Sequence, residues 1–361
     1  MIPGEQTAKR MADRPSLAAK QHPSLFPLTI RPTTRDVARL VKEGGVSALT
    51  EAQRRADAAS YQEVTCRSAL NAVEGMPFHW TLNPYRGCTH GCHYCFARRY
   101  HEQFELGAGD EFASVILVKI NLPDVLRHEL AKRSWRRELV ALGTATDPYQ
   151  PIEGHYKLTR RSLEMLADAH TSVGLVTKGP MVVRDIDMLN RVGANASCTV
   201  YISIPSVDEN AWRSLEPGTA SPWQRLKAVR ALAEAGVRVG VLMAPLVPGI
   251  STSARSVEAT VRAIADHGAL FVGANLLYLQ GGTRTHFLEF LAREYPALTA
   301  AYDELYAGGA KYATGEYAAE VQAMVRALRA RYGLTSREPP EREAPAGTTS
   351  DAAQQAAFDW R

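Results

Sequence analysis

Short apolar runs alternate with segments of helical period through the middle of this chain. Runs at Ser114–Lys119, Glu138–Thr144, Ser172–Val176, Ser197–Ile204, Val237–Ala244 and Ala269–Leu277 have strand length and are apolar almost throughout. Strands buried on both faces of a parallel sheet read this way. A further strand-like piece, His79–Tyr85, precedes them. The segments between carry helix signals. Ser221 and Pro222 supply an N-cap and an N1 proline, Leu226, Val229 and Ala233 an apolar face, and Gly236 a stop. Thr159–Ala169 and Ser253–His267 follow the same pattern. Repeated β–α units predict an α/β fold, either a barrel or a doubly wound sheet.

The two ends read differently. Residues 1–74 are polar, with a weak helical pattern around Thr34–Ala59, and are expected to form an N-terminal extension. Residues 75–310 carry the alternating core and 311–335 a C-terminal helix. The tail 336–361 is rich in Pro, Glu, Ala and Gln and is expected to be disordered.

Polar residues collect just after the apolar runs: TDPYQPIE, TKGPMVVRD, PSVDENAWRSLEPGTASP and PLVPG. In a β/α barrel these are the C-terminal strand ends, where active sites are built. Tyr149, Gln150, Glu153, Arg184, Asp185, Glu216 and Arg225 are the candidates there for binding substrate. Each has an equally ordinary reading as an inter-loop ion pair or cap.

Composition adds bounds. A chain of 361 residues with 45% hydrophobic and 22% charged positions suits a globular protein with a sizeable core. A net charge of +4 permits a nucleic-acid partner without arguing for one. No run of ~18 apolar residues exists, so no membrane span is expected. The first residues lack the apolar core of an export signal. Five cysteines, odd in number and clustered, suit a reducing cytoplasm better than a disulfide framework.

Three of those cysteines fall in NPYRGCTHGCHYCFARRYHE, as Cys88, Cys92 and Cys95. A C-x3-C-x2-C loop has two chemical readings. Three thiolates can hold three irons of a four-iron cluster and leave the fourth open, or they can join a histidine (His90, His93 or His101) around zinc. Cys66 and Cys198 are isolated and offer no second pair; Cys198, inside an apolar run, reads as a small buried hydrophobe. Gly87 and Gly91 fit the tight turns of a loop wrapped on a metal site. Arg86, Arg98 and Arg99 either balance an anionic cluster or face water.

The C-x3-C-x2-C loop with Tyr94 before its last cysteine resembles the signature of the radical S-adenosylmethionine enzymes. NPYRGCTHGCHYC, TDPYQPIE, VTKGPMVVRDIDML, YISIPS, LEPGTASPWQRL and APLVPG stand in the order found in its spore-photoproduct-lyase-like branch, close to actinobacterial members of unassigned function. The resemblance covers roughly residues 75–310. It implies a partial (β/α)6 barrel, a site-differentiated 4Fe-4S cluster held by Cys88, Cys92 and Cys95, and S-adenosylmethionine on the open iron. An external reductant of flavodoxin or ferredoxin type would drive cleavage to a 5′-deoxyadenosyl radical that abstracts hydrogen from a substrate. By the same resemblance Tyr94 and Phe96 pack near the cofactor. Thr146 donates to its amino-acid part, and Asp147, at the end of the third strand, accepts from its ammonium. Lys178, ending the fourth, pairs with its carboxylate, and Ser203 and Ala244 line it from the fifth and sixth.

One departure narrows the implication. The repair lyase has a hydrogen-donating cysteine shortly before the Thr146–Asp147 equivalent, whereas Leu139-Val-Ala-Leu-Gly-Thr-Ala145 has none. The expected function is therefore a cytoplasmic radical enzyme of unnamed substrate. Nucleic-acid repair or modification within the same class stands second, and a non-enzymatic zinc module that binds nucleic acid third.

Overall fold

The computed structural model describes residues 51–100, 109–313 and 315–335. The expected tail and most of the expected N-terminal extension lie outside them. Of the weak helical pattern at 34–59, the described part forms helix α1, Glu51–Ala58.

Ten strands are present among these residues: β1 Ser60–Val64, β2 Leu70–Ala72, β3 Trp80–Leu82, β4 Tyr85–Arg86, β5 Val115–Lys119, β6 Val140–Leu142, β7 Val173–Thr177, β8 Cys198–Ser203, β9 Val239–Leu246 and β10 Val272–Leu276. Seven form one sheet in the order β10-β9-β8-β7-β6-β3-β2. Six of these, β3 and β6 to β10, run parallel, and β2 adds an antiparallel edge by pairing with β3. The row is open and has two ends, so the six strands make a partial barrel. Their side chains are buried where the apolar runs required, with Leu82, Leu142, Leu175, Val200 and Val241 fully enclosed.

Helices cover the outside: α2 Leu122–Leu130, α3 Leu158–Asp168, α4 Ile186–Asn195, α5 Glu209–Leu215, α6 Pro222–Glu234, α7 Ala254–Asp266, α8 Gly281–Glu294, α9 Thr299–Leu305 and α10 Glu316–Arg331. The predicted start of α6 is built as its sequence implies. The Ser221 hydroxyl accepts from Gln224 N and the Gln224 side chain accepts from Ser221 N, a capping box with Pro222 in the first turn. Leu226, Val229 and Leu232 then face the sheet.

One strand leaves the expected row. The run at Ser114–Lys119 yields β5, which pairs with β1 and β4 in a separate three-stranded sheet. The cause lies at Asn83-Pro84. Pro84 has no N–H to give to a ladder, so the piece read as one strand over His79–Tyr85 breaks into β3 and β4. After the break β4 turns against β5, and Lys119 N donates to Pro84 O at 3.2 Å. The strand counts shift by one accordingly. Thr146 and Asp147 follow β6, the second parallel strand; Lys178 follows the third, Ser203 ends the fourth and Ala244 lies in the fifth.

Gly143 sets the exit from β6. Its φ is +86°, and its N–H donates to Leu82 O at 3.1 Å. A Cβ there would strike the Val176 carbonyl and lie 2.6 Å from the Pro148 ring. Gly143→Ala should therefore lower stability to urea by about 3 kcal/mol, from left-handed strain and overpacking together. Gly174→Ala, whose nearest neighbour is the Tyr201 ring at 3.6 Å, should change it by less than about 1 kcal/mol. Equal losses at the two positions would show that space at 143 is not the constraint.

Candidate active site

The loops after the parallel strands surround a cavity of about 240 Å³ at their C-terminal ends. Cys88, Cys92 and Cys95 line it, together with Tyr94, Phe96, Thr146, Asp147, Lys178, Ser203 and Ala244. Every residue expected to hold the cluster or cofactor thus reaches one space, from five separate parts of the chain. The thiols share a wall without closing into a metal cage among the described residues.

The cysteine loop is fixed through its backbone. Cys88 N donates to Phe112 O at 2.9 Å, and Cys95 O accepts from Thr283 Oγ1 at 3.1 Å. Arg98 is 2% exposed and points inward, donating from Nε to Cys92 O at 3.1 Å and from Nη2 to Gly91 O at 3.0 Å. Its guanidinium also lies 5.0 Å from the Phe112 ring centre. The sequence marked Arg98 only as basic. Its role as a backbone clamp depends on a fold-back that the spacing does not encode. A neighbouring loop zips to the cysteine loop: His93 N donates to Leu215 O and Gly218 N to His90 O. A Cβ on Gly218 would collide with the Thr89 and His90 backbone, so only glycine permits this approach.

The histidines suggested for zinc have other partners. His90 Nδ1 lies 3.3 Å from Asp147 Oδ2, close enough for an ion pair but not aligned as a hydrogen bond. His93 Nδ1 is 3.1 Å from His286 Nε2, and its ring stacks 4.1 Å from Phe290. His101 lies outside the described residues.

Lys178 Nζ donates to Ser203 Oγ at 2.7 Å, lies 3.7 Å from Glu216 and stands 5.7 Å from the Tyr94 ring centre. Tyr94 donates its hydroxyl to Glu216, and Arg225 Nη2 donates to the other oxygen of that carboxylate. Burial alone would raise the Glu216 carboxyl, but Arg225 and Lys178 outweigh it and hold the group below its ordinary value. Asp147 behaves alike: burial opposes ionisation, yet His90, the Thr177 hydroxyl and Lys178 N–H bring it down to about 2.

Three of the acceptor positions of Asp147 are engaged within the chain and the His90 imidazole faces the fourth. Oδ1 accepts from Tyr149 N and Thr177 Oγ1, Oδ2 accepts from Lys178 N at 2.6 Å, and His90 faces the remainder. The expected acceptor for the cofactor ammonium is thus committed to holding the β6 and β7 loops together. Thr146 donates to Tyr85 O at 3.2 Å.

Among the described residues, none of the seven candidates for substrate binding lines this cavity. They lie behind its walls. Gln150 accepts from Thr89 N and donates to Gly87 O, bracing the cysteine loop. Glu153 accepts from Tyr85 at 2.5 Å, from Arg184 at 2.8 Å, and from the first N–H groups of α3. Asp185 accepts from Arg160, Arg184 and Tyr149. Glu216 and Arg225 form the pair already described. Burial raises the Tyr85 and Tyr149 phenols, and it raises the Glu153 carboxyl by prevailing over the hydrogen bonds that oppose it. The cavity surface goes instead to residues the sequence did not single out: Phe78, Phe112, Tyr201, Asn275, Tyr278 and Tyr312. Asn275 and Tyr278 sit in or just after β10, whose apolar run marked the strand but not what it presents.

Comparison with known proteins agrees with this arrangement. The radical SAM superfamily profile matches residues 82–264. An uncharacterized protein of Mycobacterium tuberculosis is 39% identical over 294 residues, which is 80% of this chain and 86% of that protein. The radical SAM Nα-GlyT isomerase of Pseudomonas phage M6 is 24% identical over 70% of this chain and 52% of its own length. A spore photoproduct lyase variant with bound AdoMet and dinucleoside spore photoproduct superposes with a TM-score of 0.59 at 19% identity, covering 79% of this chain and 83% of that one. The chain belongs to the radical S-adenosylmethionine superfamily and is an enzyme of that class, with a 4Fe-4S cluster and S-adenosylmethionine as its cofactors.

Proposed function

We propose that this enzyme abstracts a hydrogen atom from a nucleic-acid-type substrate, with Cys88, Cys92 and Cys95 holding the cluster. The observation that carries the first part is the common cavity reached by the three thiols and by Tyr94, Thr146, Lys178, Ser203 and Ala244. The substrate class is supported by the dinucleoside spore photoproduct bound to the lyase of similar fold. The lack of a cysteine over 139–145 argues against the lyase's own way of finishing its reaction.

The donor set fits the cluster. Burial raises the Cys88 and Cys95 thiols and pushes Cys92 up to about 12, so metal must displace their protons on loading. When bound, cluster and cofactor supply a 5′-deoxyadenosyl radical after transfer of one electron from an external carrier. The chain's residues do the rest. Lys178 offers a single positive charge, held in place by Ser203 and Glu216, to the cofactor carboxylate. Asp147 orients Lys178 through its backbone N–H and acts as a positioning residue. Tyr94 and Phe96 give the cofactor apolar faces, and the Phe78 and Phe112 rings exclude water.

Anaerobic reconstitution should give roughly four irons and four sulfides per chain, and reduction with dithionite should then yield 5′-deoxyadenosine. Cys88→Ser, Cys92→Ser and Cys95→Ser should each lose that product. A protein that takes up zinc alone and never cleaves the cofactor sinks the proposal. Lys178→Met should weaken S-adenosylmethionine binding about tenfold, or 1.4 kcal/mol, by equilibrium dialysis, with little change in the urea midpoint. Glu216→Gln should instead cost about 3 kcal/mol of stability, because Arg225 is left buried without its counter-ion. Unchanged affinity in Lys178→Met would remove that residue from the cofactor site.

A further inference from the structure

Part of the cofactor cavity is built from outside the stretch shared with the superfamily. The three cysteines and the residues proposed to hold the cofactor fall within the matched residues 82–264. Asn275, Leu276, Tyr278 and Tyr312 line the same cavity from beyond them. Asn275 stands where the β9–β10 ladder loses its register. Ala274 pairs with Met243 and Leu276 with Leu246, so Asn275 alone stands against Ala244 and Pro245. Such an irregularity re-aims a side chain, and here it gives a polar one to the cavity. The Asn275 carboxamide is partly buried and has no partner in the chain among the described residues. It keeps an acceptor oxygen and two N–H donors for a ligand. The phenol rings of this wall are held in place. Tyr278 is 8% exposed and donates its hydroxyl to Gln280. Tyr312 joins it through an isolated bridge with ring centres 5.0 Å apart, and Leu279 N donates to Lys311 O at 2.8 Å.

A carboxamide with a donor and an acceptor unspent pairs side by side with any group that offers the complementary two. Every nucleobase carries such an edge. A phenol ring adds a face on which a base stacks. We infer that Asn275 seats a base of the substrate through a bidentate amide pair, with the Tyr278 and Tyr312 rings as its stacking surface. The inference rests on the proposed reading of this cavity as the reaction site, and it narrows the substrate to one that presents an unpaired base there. The cofactor carries an adenine of its own. The cofactor, however, is common to the superfamily, and the residues proposed to hold it lie within the shared stretch. Side chains supplied from outside that stretch suit what differs between members, which is the substrate. Lys178 and Asp147 line the cavity too, but they are tied within the chain. An amide also grips without a net charge, so it binds a polar edge and still leaves the chamber dry.

The test uses the full-length reconstituted protein with S-adenosylmethionine and no reductant, so that nothing reacts. Equilibrium dialysis measures the binding of the dinucleoside monophosphates of thymidine and of deoxyadenosine, with deoxyribose 5-phosphate as the probe without a base. At least one dinucleoside should bind, and the base-free probe should neither match nor displace it. Asn275→Leu should raise the dinucleoside Kd about tenfold. Asn275→Asp keeps the shape and an acceptor but loses the donors; it should raise the Kd several-fold and carries the test should Asn275→Leu not fold. Tyr278→Phe should bind nearly as the wild type does and Tyr278→Ala weakly, because the ring is used and not the hydroxyl. S-adenosylmethionine affinity, by the same method, should stay unchanged in both Asn275 variants. A loss that falls on the cofactor instead assigns Asn275 to its adenine and overturns the inference. So does wild-type dinucleoside affinity in both Asn275 variants or in Tyr278→Ala, or equal binding of the base-free probe. Base binding by a protein that never cleaves the cofactor would leave this site standing and sink the proposed reaction; normal cleavage without base binding would sink this site alone.

Discussion

A single buried carboxylate, Glu216, holds the cofactor cavity together. It takes the Tyr94 hydroxyl from the cysteine loop, Arg225 from α6 and the charge of Lys178 from the end of β7. Arg225 in turn donates to Ser203 O at 2.7 Å and to Ala220 O at 2.9 Å, and Thr219 bonds it as well. Three walls of the cavity therefore meet on one ion pair. Enclosing two charges costs desolvation energy that their attraction only partly returns. What the pair confers is geometry. With four of the five N–H donors of Arg225 and both oxygens of Glu216 used, the cysteine loop has one position relative to the strand ends. That matters because three thiols must be presented together to one cluster.

A second buried network does the same for the opposite wall. Glu153, Arg184, Asp185, Arg160, Tyr149 and Tyr85 exchange hydrogen bonds behind the β6 and β7 loops. Asp147 then joins those loops on the cavity side through Thr177 and Lys178. Charges that carry a wall are not available to a ligand. This explains why, Lys178, Asp147 and His90 apart, the cavity is faced mainly by aromatic, aliphatic and small residues although its surroundings are rich in acids and arginines. A radical reaction gains from such a surface, because rings and methyl groups exclude water without offering competing charge.

The sequence revealed the parallel strands well, because strands covered on both faces are apolar throughout and the helices between them carry caps. It also revealed the cysteine loop, and the family resemblance that the loop carries pointed to residues that line the same cavity. It did not reveal which polar residues on that rim face inward. TDPYQPIE looks like a ligand-binding segment, yet Gln150 and Glu153 turn back into the fold to brace Gly87, Thr89 and α3. Direction of this kind is decided by partners far away in sequence, such as Arg184 for Glu153 or Leu215 for His93. The misplacement of β5 has a more local origin. Pro84 was visible, but a proline that ends one strand does not say which sheet the next strand joins.

Net charge illustrates the same limit. A formal +4 over 361 residues is too mild to argue for any partner. The structure makes it informative by showing where charge is neutralised. Around the cofactor cavity Glu216, Glu153 and Asp185 absorb Arg225, Lys178, Arg184 and Arg160. Across the wall of phenylalanines, Lys119 is enclosed with no acid beside it among the described residues. A net charge counts paired and unpaired groups alike, so a cation that is buried with no acid beside it among the described residues carries more information than the total. An enzyme of this class needs a dry, apolar chamber for the radical and a separate hold on its substrate. Those two demands conflict within one cavity, since a charge strong enough to grip an anion also draws water.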